Sequence, residues 1–279
     1  MVRRVMELLQ GIRIKNLLLL LLYHIIIYYK FFSQVNTTGF ALLTLTVLLI
    51  AAAGNLENDL HDIFIDRYNR KKNYYHKPGR RIKKYLPYVF YVAGLISAAI
   101  FVSRLDMPGY MFYFIAIVVL LINYNTVLKK TPFIGNFVVS FLTALVVIQP
   151  VFFFPADIGV VKLLILIASL VFFINLNREI IKDIIDRKGD SLAGFQTLGV
   201  ISVKTALQTV FFINVLIVIL MAWLIFSLQN PWAKIYYTVL GIYLIYIMVH
   251  TARIRKFMWQ IKKWYKWSIL AGILGILFV

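Results

Sequence analysis

The chain contains no cysteine, which excludes disulfide staples and thiolate metal sites. It has only four histidines, His24, His61, His76 and His250. Their spacing matches no metal-ligand pattern, so packing or solvated roles are expected for each. Acids are scarce: 11 Asp and Glu stand against 30 Lys and Arg, giving a net charge of +19. Charged residues of both signs reach 15% of the chain, below the share a soluble globular domain uses.

Hydrophobic residues are what the sequence has in excess, at 62% of 279 residues. Apolar runs of about 18 or more residues recur along the whole length, each long enough to cross roughly 30 Å of hydrocarbon as a helix. Nine are expected, at 16–34, 38–57, 85–103, 109–127, 133–154, 160–178, 205–227, 232–252 and 264–279. The runs lack the alternation of a strand barrel. The fold class is therefore all-α, an integral membrane protein of nine transmembrane helices, with 1–279 forming a single membrane domain. The first segment, "MVRRVMELLQGIRIKNLLLLLLYHIII", has basic residues before an apolar run but no small-residue cleavage pattern. It reads as a short interfacial amphipathic segment and a retained first span.

The basic residues follow the membrane. With the N-terminus taken as cytoplasmic, 26 of the 30 fall in segments on one side, and only Lys30, Arg104, Lys162 and Lys234 on the other. That asymmetry is the positive-inside pattern, which places the N-terminus in the cytoplasm and the C-terminus outside. The charge is thereby explained by the bilayer, and no nucleic-acid partner is expected. Membrane lipids are the expected surroundings, in the cell (inner) membrane for a prokaryote.

Eight of the eleven acids lie in two clusters, and both clusters fall at the same side of the membrane. The first, "NLENDLHDIFID", follows the uncharged run "ALLTLTVLLIAAAG". At 100° per residue, Asn58, Asp59, Asp62 and Asp66 share an arc of about 100° on one helix face, while Glu57 points elsewhere. In the second, "NLNREIIKDIIDRKGD", Glu179, Asp183, Asp186 and Asp190 fall within about 60°, and Asn175 extends the stripe inward. Solvated helix ends paired with neighbouring Lys and Arg would explain one cluster. Two of them in a chain otherwise poor in acids call for a shared cation, because crowded carboxylates repel. Oxygen ligands suit a hard divalent ion, with Mg²⁺ the natural choice. Since Mg²⁺ binds through one or two carboxylates plus substrate phosphates, a ligand carrying a diphosphate is implied.

"NDLHDIFID" fits an NDxxDxxxD motif and "REIIKDIIDRKGD" resembles the second aspartate-rich motif of the UbiA superfamily of intramembrane prenyltransferases. "RIKN" (Arg13, Asn16) resembles that family's N-terminal R-x-x-N, and "YNTVLKKTPFIGNFVVSFLTA" its Tyr and Lys-Lys/Arg turn between spans 4 and 5. The resemblance covers nearly the whole chain. It implies nine helices around a central cavity, a polyprenyl diphosphate donor, Mg²⁺ as cofactor, an active site on the cytoplasmic side and transfer of the prenyl group to a lipophilic acceptor. It further implies that Asn58, Asp62 and Asp66 hold one Mg²⁺ and that Asp183, Asp186 and Asp190 hold a second. Asp59 and Glu179 would be ligands or outer partners. Arg13, Asn16, Lys129, Lys130, Arg178 and Lys182 would serve the substrates, and Tyr124 would steady a carbocation through its ring face.

For the acceptor, R-E-x-x-K-D-x-x-D-x-x-G-D followed by "SLAGFQTLGV" looks most like the geranylgeranylglyceryl phosphate geranylgeranyltransferase branch. That branch implies a prenylglyceryl phosphate acceptor. Two features depart from it: Gly199 stands where the branch commonly has Pro, and "RYNRKKNYYHKPGRRI" lacks the compact N-K-P-x-R-P. An aromatic quinone precursor is the rival acceptor within the family. From another class, a cation-coupled transporter is weakened because the acids lie at the cytoplasmic helix ends, away from the midplane.

Overall fold

The computed structural model describes residues 2–69, 71–76, 83–253 and 258–279. Among these residues the chain is all-helical, with no strand. Thirteen α-helices follow one another: α1 Val2–Gly11, α2 Ile14–Phe31, α3 Thr37–His61, α4 Ile63–Tyr68, α5 Leu86–Arg104, α6 Met111–Thr126, α7 Ile134–Ile148, α8 Pro150–Phe153, α9 Ile158–Leu192, α10 Leu198–Ile201, α11 Val203–Ser227, α12 Pro231–Arg253 and α13 Met258–Gly275.

Seven of the described segments are long and apolar enough to cross a membrane: Ile14–Phe31, Thr37–His61, Leu86–Arg104, Pro108–Lys130, Ile158–Leu192, Val203–Ser227 and Pro231–Thr251. The protein is thus an integral, multi-pass membrane protein. The other two expected runs fold as helices too, and each falls short of that description for a visible reason. α7 has 15 residues because Pro150, which has no N–H to donate, separates it from the one-turn α8. α13 carries Lys262, Lys263 and Lys266 in its first half, which shortens its apolar run.

The chain divides into two compact units, one of residues Met1–Tyr29 and Ser33–Leu128, the other of Lys30–Phe32 and Lys129–Val279. In the first, α3 is the central helix and packs chiefly on α5. Small residues allow this: a Cβ on Gly94 of α5 would come within 2.8 Å of the Ile50 side chain on α3. Without a hydrophobic drive between helices in lipid, such close approach supplies the dispersion contacts that hold them. A buried hydrogen bond of 2.9 Å between Thr46 and Ser97 adds a polar tie. Where α3 emerges, Leu56, Tyr74 and Tyr75 form a small apolar cluster with Leu8, Ile12, Leu60, Ile63, Leu86 and Phe90.

In the second unit the 35-residue α9 is the spine, packed by α7, α10, α11 and α13. Its apolar face, including Leu170, Ile174, Ile181 and Ile184, meets Ala206, Val210, Ile213 and Ile217 of α11. The helix does not stop at the end of its hydrophobic run near residue 178 but continues through the acidic stripe to Leu192. The alternating i, i+4 and i, i+3 spacing of the acids along one face is therefore realised in a single unbroken helix.

Candidate active site

The first acidic motif straddles a helix break. α3 ends at His61, Asp62 takes φ −95° and ψ 11°, and α4 begins at Ile63. The backbone hydrogen bonds nevertheless continue through the break, from Asp62 N to Asn58 O at 2.9 Å and from Asp66 N to Asp62 O at 2.8 Å. The shared face therefore survives: Asn58 Nδ2 donates to Asp62 Oδ2 at 2.9 Å, a contact available only to residues one turn apart on the same side.

Asp59 and Asp66 are tied to the turn at 71–76. Tyr74 N donates to Asp59 Oδ2 at 3.2 Å, and Asn73 Nδ2 bridges Asp59 O at 2.6 Å and Asp66 Oδ2 at 2.9 Å. Arg13, at the junction of α1 and α2 with φ 55°, pairs with Asp59 Oδ1 at 3.5 Å. Asn55 Nδ2 donates to Ile12 O at 3.0 Å and fastens the same junction to α3. Asn16 sits one turn further along α2, half-buried, its N–H bonded to Arg13 O at 2.7 Å. Tyr124 is half-buried on α6. Of the basic residues beside this motif, Arg67 and Lys72 are exposed and Lys71 is half-buried. Arg70, Arg80 and Arg81 lie outside the described residues.

In the second unit the stripe along α9 is matched by partners on neighbouring elements. Arg178 Nη1 donates to Asn175 Oδ1 at 2.9 Å and to Glu179 Oε1 at 2.6 Å. Lys182 Nζ donates to Glu179 Oε2 at 3.2 Å, so Glu179 is bracketed by two cations. Asn136, at the start of α7, donates to Asp183 Oδ2 at 3.0 Å. Asp186 is buried on the same helix. Asp190 accepts from Thr197 Oγ1 at 3.3 Å, while Phe195 N donates to Asp190 O at 2.9 Å; together these fold the 193–197 loop back onto α9. The Lys129–Lys130 turn meets that loop: Gln196 N donates to Lys130 O at 2.9 Å, and Lys130 Nζ lies 5.8 Å from the Phe195 ring centroid.

Sequence reasoning missed Asn73, Asn136 and Thr197. Asn136 left a signal, a buried amide inside the otherwise apolar "FIGNFVV", since a polar group at such depth needs a partner. Asn73 and Thr197 sit in loops where periodicity says nothing.

The donor set is all oxygen: one amide and three carboxylates in the first motif, four carboxylates in the second. Among the described residues no three His, Cys, Asp or Glu side chains converge closely enough to cage an ion unaided. Mg²⁺ needs no such cage, because one or two carboxylates plus diphosphate oxygens and waters complete its shell. The residues present fit that ion.

The UbiA prenyltransferase family model matches residues 18–270. A digeranylgeranylglyceryl phosphate synthase of Methanosarcina mazei is 37% identical over 164 residues, 56% of this chain and 53% of the relative. One from Pyrococcus abyssi is 35% identical over 162 residues, 57% and 55% of the two chains. The chain thus spans about half the length of the curated relatives it matches. A solved structure bearing on digeranylgeranylglyceryl phosphate synthase in membranes superposes with a TM-score of 0.74 at 24% identity, covering 99% of this chain and 100% of that one. A UbiA homologue from Archaeoglobus fulgidus, bound to GPP and Mg²⁺, gives a TM-score of 0.68 at 15% identity, covering 98% and 100%. These likenesses establish the fold, and the extent of the family match settles the assignment: the chain belongs to the UbiA prenyltransferase family.

Proposed function

We propose that the protein is a Mg²⁺-dependent prenyltransferase that moves a polyprenyl group from an allylic diphosphate to a prenylglyceryl phosphate. The observation that carries the reading is the acidic stripe of α9, in which Glu179, Asp183, Asp186 and Asp190 recur along one helix face. The Asn58–Asp62–Asp66 face is its counterpart. The names of the curated relatives support the glyceryl phosphate acceptor, and the Archaeoglobus homologue with GPP and Mg²⁺ supports the donor and the ion. The reading includes one membrane domain over 1–279, nine spans around a central cavity, a cytoplasmic N-terminus and an active site facing the cytoplasm in the cell membrane. The distribution of the 30 basic residues supports that orientation.

Within this reading Asn58, Asp62 and Asp66 hold one ion, and Asp183 and Asp186 the other. Asp59 commits both carboxylate oxygens, one to Tyr74 N and one to Arg13, and acts as a support that keeps the ligating acids in place; Asp66 and Asp190 are each anchored to a neighbouring loop through one oxygen. Bound Mg²⁺ supplies positive charge to the departing diphosphate. Arg13, Lys129 and Lys130 supply charge-assisted hydrogen bonds to its remaining oxygens, and Lys182 with Arg178 serves the acceptor's phosphate. Asn16 and Arg178 line the substrates, and Tyr124 faces the developing allylic cation with its ring. The apolar helices around the site exclude water, which would otherwise capture that cation.

The test is incubation of purified protein with Mg²⁺, radiolabelled geranylgeranyl diphosphate and a panel of acceptors comprising geranylgeranylglyceryl phosphate, hydroxybenzoate and dihydroxynaphthoate. Label in the glyceryl phosphate product is the expected result. Label in an aromatic product would reassign the acceptor, and no labelled product from any prenyl donor would overturn the reading.

A further inference from the structure

Glu57 is the one acid of the first motif region that does not share the face of Asn58, Asp62 and Asp66. It is fully buried, with 0% exposure, on α3 between Leu56 and Asn58. Its Oε2 accepts from Tyr91 Oη of α5 at 2.7 Å and from Asn125 Nδ2 of α6 at 3.0 Å. Asn125 Nδ2 also lies 3.4 Å from Gly54 O. Tyr91 and Asn125 are themselves buried. Three helices thus meet at one carboxyl group, in the turn of α3 that immediately precedes the motif.

Stability alone does not account for an acid here. Burying a carboxyl group in an apolar bundle is costly, and replacing a buried polar cluster by apolar side chains of similar volume is often neutral or stabilising. The cluster is also incompletely satisfied, because Glu57 Oε1 and Asn125 Oδ1 are buried acceptors with no hydrogen-bond partner among the described residues. What the acid provides and an apolar residue does not is direction. About three turns away α3 is tied to α5 by the Thr46–Ser97 hydrogen bond. Between there and the motif it meets α5 and α6 mainly through small and apolar side chains, which leave the rotation of its motif end to be set locally. Hydrogen bonds from two other helices to one carboxylate oxygen set it. Rotation there would carry Asn58 and Asp62 out of line.

We infer that Glu57 is a positioning residue which, with Tyr91 and Asn125, fixes the rotation of α3 and so aims Asn58 and Asp62 at the divalent ion and diphosphate. This rests on the prenyltransferase reading above. The cluster is the support behind ligating residues that metal sites commonly depend on for affinity.

The experiment measures Mn²⁺ binding by electron paramagnetic resonance, with a non-cleavable geranyl thiodiphosphate, alongside thermal unfolding in detergent. Wild type, Glu57→Leu, Glu57→Gln and Tyr91→Phe are compared. Glu57→Leu is expected to unfold no earlier than wild type yet to bind Mn²⁺ about tenfold more weakly in the presence of the diphosphate. Tyr91→Phe is expected to shift affinity the same way by a smaller factor. Glu57→Gln keeps an acceptor oxygen for Tyr91 and should return to within about threefold of wild type. Wild-type affinity in both Glu57→Leu and Tyr91→Phe overturns the inference and leaves the prenyltransferase reading standing. If Glu57→Leu does not fold, Tyr91→Phe decides: weakened binding rescues the inference and unchanged binding overturns it. Absence of diphosphate-dependent Mn²⁺ binding in wild type overturns both together.

Discussion

The side-chain amide of Asn136 on α7 donates to Asp183 Oδ2 on α9 at 3.0 Å, joining residues 47 apart along the chain. Asn136 is buried, and its backbone carbonyl accepts from Ser140 Oγ at 2.6 Å, one turn further along α7. Asn136→Ala removes the donor that aims Asp183. A supporting bond of this kind is worth about 10- to 100-fold in metal affinity, and a Mg²⁺ titration of turnover should show a rise in half-saturating Mg²⁺ of that order. Asn136→Asp should be worse than Asn136→Ala, because it sets a like charge against Asp183. Equal Mg²⁺ dependence in all three proteins would show that the contact aims nothing.

Gly199 stands where the resembling branch commonly has Pro, and the structure gives the reason for a glycine. α10 lies so close to α9 that a Cβ at 199 would overlap the backbone carbonyl of Asp183 and approach Ile184 N within 2.6 Å. Neither obstacle is the end of a flexible side chain, so a substitution must push α10 outward. Gly199→Ala should destabilise by about 1–3 kcal/mol, as overpacking does, and Gly199→Pro by at least as much. Thermal unfolding in detergent checks this; a Pro variant as stable as wild type would mean that the close approach is absent.

Asp62→Ala and Asp183→Ala should each reduce turnover below about a tenth of wild type, more than 1.4 kcal/mol of transition-state stabilisation. Both variants should remain folded, since these side chains are half-buried and neither belongs to the apolar core. The comparison is turnover against far-ultraviolet circular dichroism on the same preparations. Folded variants with most of their turnover would remove these acids from the metal set.

The helices were legible because hydrophobic run length is a direct readout of bilayer thickness, and the acidic faces were legible because helical periodicity needs no tertiary information. α9 shows both, running from its apolar half through Glu179, Asp183, Asp186 and Asp190 without a break. What periodicity does not encode is partnership between distant segments. It aims Glu57 away from Asn58 but does not reveal Tyr91 and Asn125 as its partners. Asp190 reads as one more acid of the stripe, yet its Oδ2 accepts from Thr197 in the loop that follows. The helix break at Asp62 is also silent in the sequence, which has neither Gly nor Pro near it.

Chelation gives a test independent of any substitution. EDTA should abolish prenyl transfer and added Mg²⁺ restore it, because the hard-oxygen donor set and the diphosphate leaving group both require a divalent ion of this kind. Ca²⁺, with longer bonds and looser geometry, should restore less. Full turnover in EDTA would exclude the two-cluster mechanism.

The proposed acceptor can be tested through its charge. A prenylglyceryl phosphate brings its own phosphate, so the site needs cations beyond those that hold the donor's diphosphate. Arg178 and Lys182 are interleaved with the second motif, and both are already bonded to Glu179, at 2.6 and 3.2 Å. Glu179 therefore competes with any incoming phosphate while holding the two cations in place beside the stripe. Geranylgeranylglyceryl phosphate should be prenylated at least ~10-fold more efficiently than its dephosphorylated alcohol, about 1.4 kcal/mol of discrimination. The double variant Arg178→Gln, Lys182→Gln should narrow that ratio, while Glu179→Gln, which frees both cations from their carboxylate, should hold or widen it. Opposite responses in the two variants separate recognition of the acceptor phosphate from general damage to the site, which would lower both acceptors alike. A neutral alcohol or an aromatic acid used more efficiently than the phosphate would leave the family assignment standing and remove the lipid-forming reaction.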